Sequence, residues 1–199
     1  MKKWLIPVIV IVVLGIIIYS LTIGFNNTAV VKQEDARLAW SNVESSYQRR
    51  NDLISNLVKT VQGAAEFERG TLTDVIEARS KATSINVDAE NMTPEQMEQF
   101  RAAQGEVSSA LSRLLVTVER YPELKANQNF LNLQSQLEGT ENRINVARNR
   151  YNEATTEYNK YIRRFPNNIF VGFYGFDERP LYQADEGSED APEVEFDFN

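Results

Sequence analysis

Residues 39–61 read AWSNVESSYQRRNDLISNLVKTV. Trp40, Tyr47, Ile54 and Val61 recur every seven residues, while Ala36, Val43, Leu57 and Ala64 take the offset positions and Arg50 fills the slot between Val43 and Leu57. Apolar residues spaced alternately by three and four lie on one stripe of an α-helix, so this stretch carries an a/d seam. Neither Gly nor Pro occurs between residues 29 and 62. The helix is therefore expected to run for more than 30 residues, about 50 Å at 1.5 Å per residue. Gly63 and Gly70 mark the expected break, and helical character resumes at Leu72, Val75, Ala78 and Ala82.

The same pattern continues outward. After a loop around residues 84–92, Thr93-Pro94-Glu95-Gln96 is a helix start, with Thr93 as cap, Pro94 in the first turn and Gln96 completing a capping box. Phe100, Val107, Leu114 and Tyr121 follow at heptad spacing, widened by Leu111 and Val118, until Pro122 stops the run. A turn over 123–126 leads to Asn127, a second cap. The last helix, 128–164, carries Phe130, Leu133, Leu137, Ile144, Tyr151, Tyr158 and Phe165 on one stripe, supported by Ala147, Ala154 and Ile162. Long helices with short connections predict an all-α fold: an antiparallel up-and-down bundle over residues 24–165.

Upstream, residues 4–23 read WLIPVIVIVVLGIIIYSLTI, behind the short end Met1-Lys2-Lys3. Twenty residues at helical rise span about 30 Å, the hydrocarbon thickness of a bilayer. Seven Ile, four Val and three Leu, at about −0.4 kcal/mol each, favour insertion by roughly 6 kcal/mol. The stretch reads as a transmembrane anchor in contact with lipid. A cleaved signal peptide is the rival reading, but its apolar core is shorter and ends at a small-x-small site. Lys2 and Lys3 flank the span more closely than Lys32 and Arg37. The expected topology is single-pass in the cytoplasmic membrane, N-terminus inside and body outside.

Composition excludes much chemistry. The 199 residues include no Cys and no His, which removes disulfides, thiol nucleophiles, imidazole catalysis and Cys/His metal sites. The net charge of −7 comes from seven acids in residues 184–199, Asp185, Glu186, Glu189, Asp190, Glu193, Glu195 and Asp197. The rest balances, with 21 acids against 21 bases. A neutral body argues against nucleic-acid binding. Residues 184–199 read as an acidic disordered tail. Its Phe196 and Phe198 alternate with acids, a pattern for a solvated tail or for a strand added to a partner's sheet edge. Residues 166–183 read as an extended aromatic strap, with Phe170, Phe173, Tyr174 and Phe176 either packed back on the bundle end or offered to a partner.

Several phrases then read together: Tyr47-Gln48-Arg49-Arg50-Asn51-Asp52-Leu53 with Asn56-Leu57-Val58, Glu119-Arg120-Tyr121-Pro122-Glu123-Leu124-Lys125, Glu141-Asn142-Arg143-Ile144, Ala147-Arg148-Asn149-Arg150-Tyr151-Asn152, Tyr158-Asn159 and Phe165-Pro166-Asn167. Behind a single apolar anchor, this set resembles the bacterial LemA family from the anchor to about Tyr182. The departures are Ser55, where the family usually has Pro, and the acidic tail. The resemblance implies a membrane-anchored helical bundle and brings no catalytic residues.

The polar residues have structural and functional readings side by side. Arg50, on the seam, needs a partner, with Glu119 and Glu141 as candidates; a salt bridge or an anion site would satisfy it. Tyr151 and Tyr158, each followed by Asn, set helix register with their hydroxyls satisfied by flanking Asn or facing polar groups, or line a ligand site. Asn56 and Arg148 complete the expected polar core. A carboxylate-bridged di-metal bundle needs Glu-x-x-His repeats, and no cofactor or metal is expected. The expected function is non-enzymatic interaction or scaffolding, through a homo-oligomer or an envelope protein partner. Self-assembly that organises the membrane is the alternative, and an enzyme without His or Cys chemistry is the remote one.

Overall fold

The computed structural model describes residues 4–63 and 68–183. Among the described residues there are six helices and no strand: α1 (Leu5–Gln62), α2 (Arg69–Ser84), α3 (Pro94–Val118), α4 (Pro122–Lys125), α5 (Gln128–Arg163) and α6 (Asn168–Tyr174). α1, α2, α3 and α5 run up and down as an antiparallel bundle. α1 lies along α5, and α2 along α3.

α1 is one helix of 58 residues, about 87 Å long at helical rise. The apolar segment and the first helix of the bundle are therefore continuous. Gly24 sits inside the helix because a single Gly costs only about 1 kcal/mol there. The helix is long and apolar enough to cross a membrane, and its apolar part is left uncovered by the rest of the chain. The first side chain that the bundle buries is Phe25.

The caps form as their residues dictate. Thr93 Oγ1 accepts from Gln96 N–H at 3.2 Å, while Thr93 N–H donates to Gln96 Oε1 at 3.1 Å. Asn127 Oδ1 accepts from the N–H groups of Asn129 and Phe130. Each cap satisfies donors that the first turn leaves open. Pro122 stops α3 and opens the single turn of α4.

Among the described residues the core falls into three clusters stacked along the bundle. Farthest from the apolar segment is an aliphatic one that includes Ile54, Leu57, Val61, Val75, Val107, Leu114 and Leu137. The middle cluster is aromatic, with Trp40, Tyr47, Phe100, Tyr151 and Tyr182. The third gathers Phe25, Ala29, Tyr158, Ile162 and Phe176 where the apolar segment enters the bundle.

Residues 166–183 depart from a single extended strap. Their first part is α6, and only the chain after Gly175 is extended. Gly175 takes a left-handed conformation, φ 69°, which favours glycine at a helix end. The extended part runs back along the side of the bundle from the Phe25 end to its middle. The acidic tail lies outside the described residues.

Candidate interaction site

The heptad-spaced Tyr-Asn pairs of α5 hold the extended strap. Asn159 donates through Nδ2 to the Arg179 carbonyl at 2.8 Å and accepts through Oδ1 from the Arg179 N–H at 3.0 Å. Asn152 repeats both bonds with Tyr182, each at 2.8 Å. The Tyr158 hydroxyl donates to the Asp177 carbonyl at 2.9 Å, and the Tyr151 hydroxyl to the Pro180 carbonyl at 2.8 Å. A step of seven along α5 thus matches a step of three along the strap. The lengths agree, since seven helical residues rise about 10.5 Å and three extended residues about 10 Å. Each Asn amide acts as a neighbouring strand would, giving and taking one bond with a single residue. The flanking Asn side chains do not serve the tyrosine hydroxyls; both residue types bind the strap backbone.

Further contacts lock the strap from the other side. Arg179, buried, donates to the Ala89 carbonyl at 2.6 Å and the Glu90 carbonyl at 3.3 Å. Asp88 shapes that loop, accepting from Glu90 N–H and from Asn91 Nδ2. These bonds hold its carboxyl below the usual range, the Glu90 N–H contributing most. The hydroxyls of Tyr47 and Tyr182 meet at 2.9 Å, and the Arg148 guanidinium lies 4.0 Å over the Tyr182 ring. Burial is the largest of the effects that raise the phenol pKa values of Tyr47, Tyr151 and Tyr158. All three are therefore neutral hydrogen-bonding groups across the physiological range.

Arg50 stands at the boundary between the aliphatic and aromatic clusters and is 2% exposed. Its guanidinium bonds Gln104 Oε1 at 2.6 Å, Ser108 Oγ at 3.0 Å and Glu141 Oε2 at 3.4 Å, joining α1, α3 and α5. It also lies 4.8 Å over the Tyr47 ring. Glu119, the other candidate partner, is exposed at the end of α3 and pairs with Lys125. Asn56 faces solvent rather than the core. On this stretch of α1 the buried amide is Asn51, and its backbone carbonyl accepts from Arg79 Nε at 3.0 Å. Asn56 misses the seam because its neighbour Leu57 occupies it, and adjacent residues stand about 100° apart on a helix.

The aromatic residues of 166–183 divide in two. Phe176 is buried, and Phe170 and Tyr174 pack against the third cluster. Their ring centroids lie 5.7, 5.7 and 6.0 Å from that of Phe25 for Phe176, Phe170 and Tyr174 respectively. Phe173 is left 83% exposed. Phe196 and Phe198 lie outside the described residues.

Open grooves run along α5, and two of them bear on the expected polar residues. One, of about 480 Å³, lies between α3 and α5 beside Tyr182 and includes Arg50, Arg101, Arg148, Glu98 and Glu141 in its lining. The other, of about 610 Å³, lies between α1 and α5; Arg49, Arg143 and Arg150 line it with Asn42, Ser45 and Asn142 and no carboxylate. No group of three or more Asp and Glu that could hold a metal occurs among the described residues. The sequence reading did not single out Gln104, Ser108 or Arg179. The Asn152 and Asn159 repeat was the available signal for the clamp.

The chain is 27% identical over 192 residues to magnetosome protein MamQ 2 of Paramagnetospirillum magneticum, covering 87% of this chain and 71% of that one. It is 24% identical over 170 residues to protein LemA of Metamycoplasma hominis, covering 85% of this chain and 74% of that one. The LemA family pattern matches residues 39–196, which take in the Arg50 network, both Tyr-Asn pairs and the strap, and the chain belongs to the LemA family.

Proposed function

We propose that this is a single-pass membrane protein of the cell envelope whose helical bundle acts without catalysis, as an interaction or scaffolding module. The observation that carries the reading is the continuity of α1. A helix with an uncovered apolar segment passes unbroken into the bundle core, so the body is held rigidly to the membrane rather than tethered by a linker. The buried polar groups support a non-catalytic role. The Tyr-Asn pairs, Arg50 and Arg179 are engaged in holding helices and strap together. Lys2 and Lys3 favour the N-terminus inside and the body outside. The arginine-lined groove between α1 and α5 has no evident internal role and offers a face for an acidic partner.

Self-assembly along the membrane is the second reading. Val31 and Leu38, seven residues apart on α1 just beyond the apolar segment, are 59% and 65% exposed and share one helix face. In-membrane crosslinking followed by mass analysis tests both readings, with the full chain and with a chain lacking residues 184–199. A discrete homo-oligomer that forms disulfides through Leu38→Cys supports self-assembly. A defined heteromeric product supports the adaptor role. Monomer alone in both chains contradicts the two readings together.

A further inference from the structure

We propose that α6 is a second membrane contact: it lies in the headgroup layer of the bilayer that α1 crosses, with Ile169 and Phe173 turned into the lipid and Arg164 beside the phosphates. This rests on the reading of α1 as an anchor and adds to it.

The sequence sets the segment apart. Residues 165–176, FPNNIFVGFYGF, contain no charged residue. A seven-residue helix is too short to hold itself together in water, and none of the residues of α6 is buried. One side of it leans on the protein through Phe170 and Tyr174. The other side does not: Ile169 is 64% and Phe173 83% exposed. They stand four residues apart, hence on one helix face. Phe165, just before the helix, is 76% exposed. Large apolar side chains concentrated on one short element mark a contact surface.

The depth of α6 identifies the partner as lipid. Residues 4–23 fill about 30 Å of hydrocarbon, and the headgroup layer adds about 5–7 Å on each side. Phe25 lies two residues beyond that segment, about 3 Å further along the helix. Its ring is the one that Phe170 and Tyr174 of α6 approach within 5.7 and 6.0 Å between centroids. α6 is therefore attached to α1 at headgroup depth, where aromatic side chains are enriched. The charge agrees. Arg164 is exposed and in no ion pair among the described residues, whereas Arg163 pairs with Glu178 at 3.4 Å. A free guanidinium at this level suits anionic headgroups.

The absence of cysteine in the chain allows a direct test. Four single variants of the full chain, Ile169→Cys, Phe173→Cys, Ile11→Cys and Val116→Cys, are labelled with an environment-sensitive fluorophore. Each is placed in vesicles of phosphatidylcholine and phosphatidylglycerol brominated at a shallow or a deep acyl position. The expected result is several-fold stronger quenching by shallow bromine at positions 169 and 173 than at Val116, which lies exposed on α3, together with deep quenching at position 11. Quenching at position 11 with positions 169 and 173 matching 116 overturns the α6 contact and leaves the anchor standing. No quenching at position 11 overturns the anchor reading and the α6 contact with it. Shielding of 169 and 173 from aqueous iodide without lipid quenching overturns the proposal in favour of a protein partner.

Discussion

The two ends of the bundle are held together by different physics. The end remote from the apolar segment is built on a mainly aliphatic core of Leu, Ile and Val, held chiefly by packing. The near half is aromatic and laced with hydrogen bonds from side chains to the strap backbone. Non-directional burial tolerates exchange among apolar residues of similar volume. Directional bonds do not, because removing one partner strands the other. Arg50 lies on the border between the two regimes. The contrast says where the chain needs a particular residue and where it needs only a greasy one, and the demanding half is the one beside the membrane.

The largest expected effect is in the aliphatic half. Leu114 is fully buried, so Leu114→Ala costs about 2–5 kcal/mol. Thermal unfolding in detergent should show that loss, while limited proteolysis of the strap at low temperature stays unchanged. Early cleavage of the strap in this variant would erase the distinction between the halves. At the border, Arg50→Ala leaves a cavity and strands Gln104, a loss on the order of 2 kcal/mol. Arg50→Leu strands Gln104 as well but refills most of the space, so it is expected to lose less than the Ala variant and to leave a folded bundle. Equal melting temperatures for wild type, Ala and Leu at position 50 would remove Arg50 from the account.

In the near half, Asn152→Ala with Asn159→Ala removes four strap bonds and is expected to cost about 1–3 kcal/mol. The strap should become sensitive to protease while α1 and α5 stay folded by circular dichroism. The smallest effect concerns pH. Burial, the largest cause, raises the Tyr47 pKa above its ordinary 10.0. Stability from this phenol is thus fully present below about pH 10 and is lost as pH rises from there towards the folded-state value, because the unfolded chain releases its proton first. Tyr47→Phe should flatten that decline in a plot of melting temperature against pH. An unchanged slope would mean that Tyr47 is not the group responsible.

Much of this was legible in the residues. The seams of α1, α3 and α5, the caps at Thr93 and Asn127 and the stop at Pro122 follow from local spacing and turn chemistry, which the sequence carries directly. The unity of α1 was harder to see. Hydropathy changes after Ile23, but a helix continues across a change of solvent as long as nothing breaks its backbone bonds, and Gly24 does not. The strap was visible as aromatic chain, but its partners were not. An extended segment has no periodicity of its own, and its register is set by Asn152 and Asn159 on another element. Arg179, in the phrase Asp177-Glu178-Arg179-Pro180, looks like a solvated charge until the carbonyls of Ala89 and Glu90 are brought to it. Similarly, α6 owes its helix to contact with Phe25, and the glycines at 172 and 175 read as extended chain without it.

The most direct test of the clamp is hydrogen exchange of the full chain in a bilayer nanodisc, read at the backbone N–H groups of Arg179 and Tyr182, which donate to Asn159 and Asn152. Both should be strongly protected in the wild type. In the Asn152→Ala, Asn159→Ala variant they should exchange near the rate of an unstructured peptide, with amides around Leu57 and Leu114 unchanged. Fast exchange at both positions in the wild type, or full protection in the variant, would contradict the account.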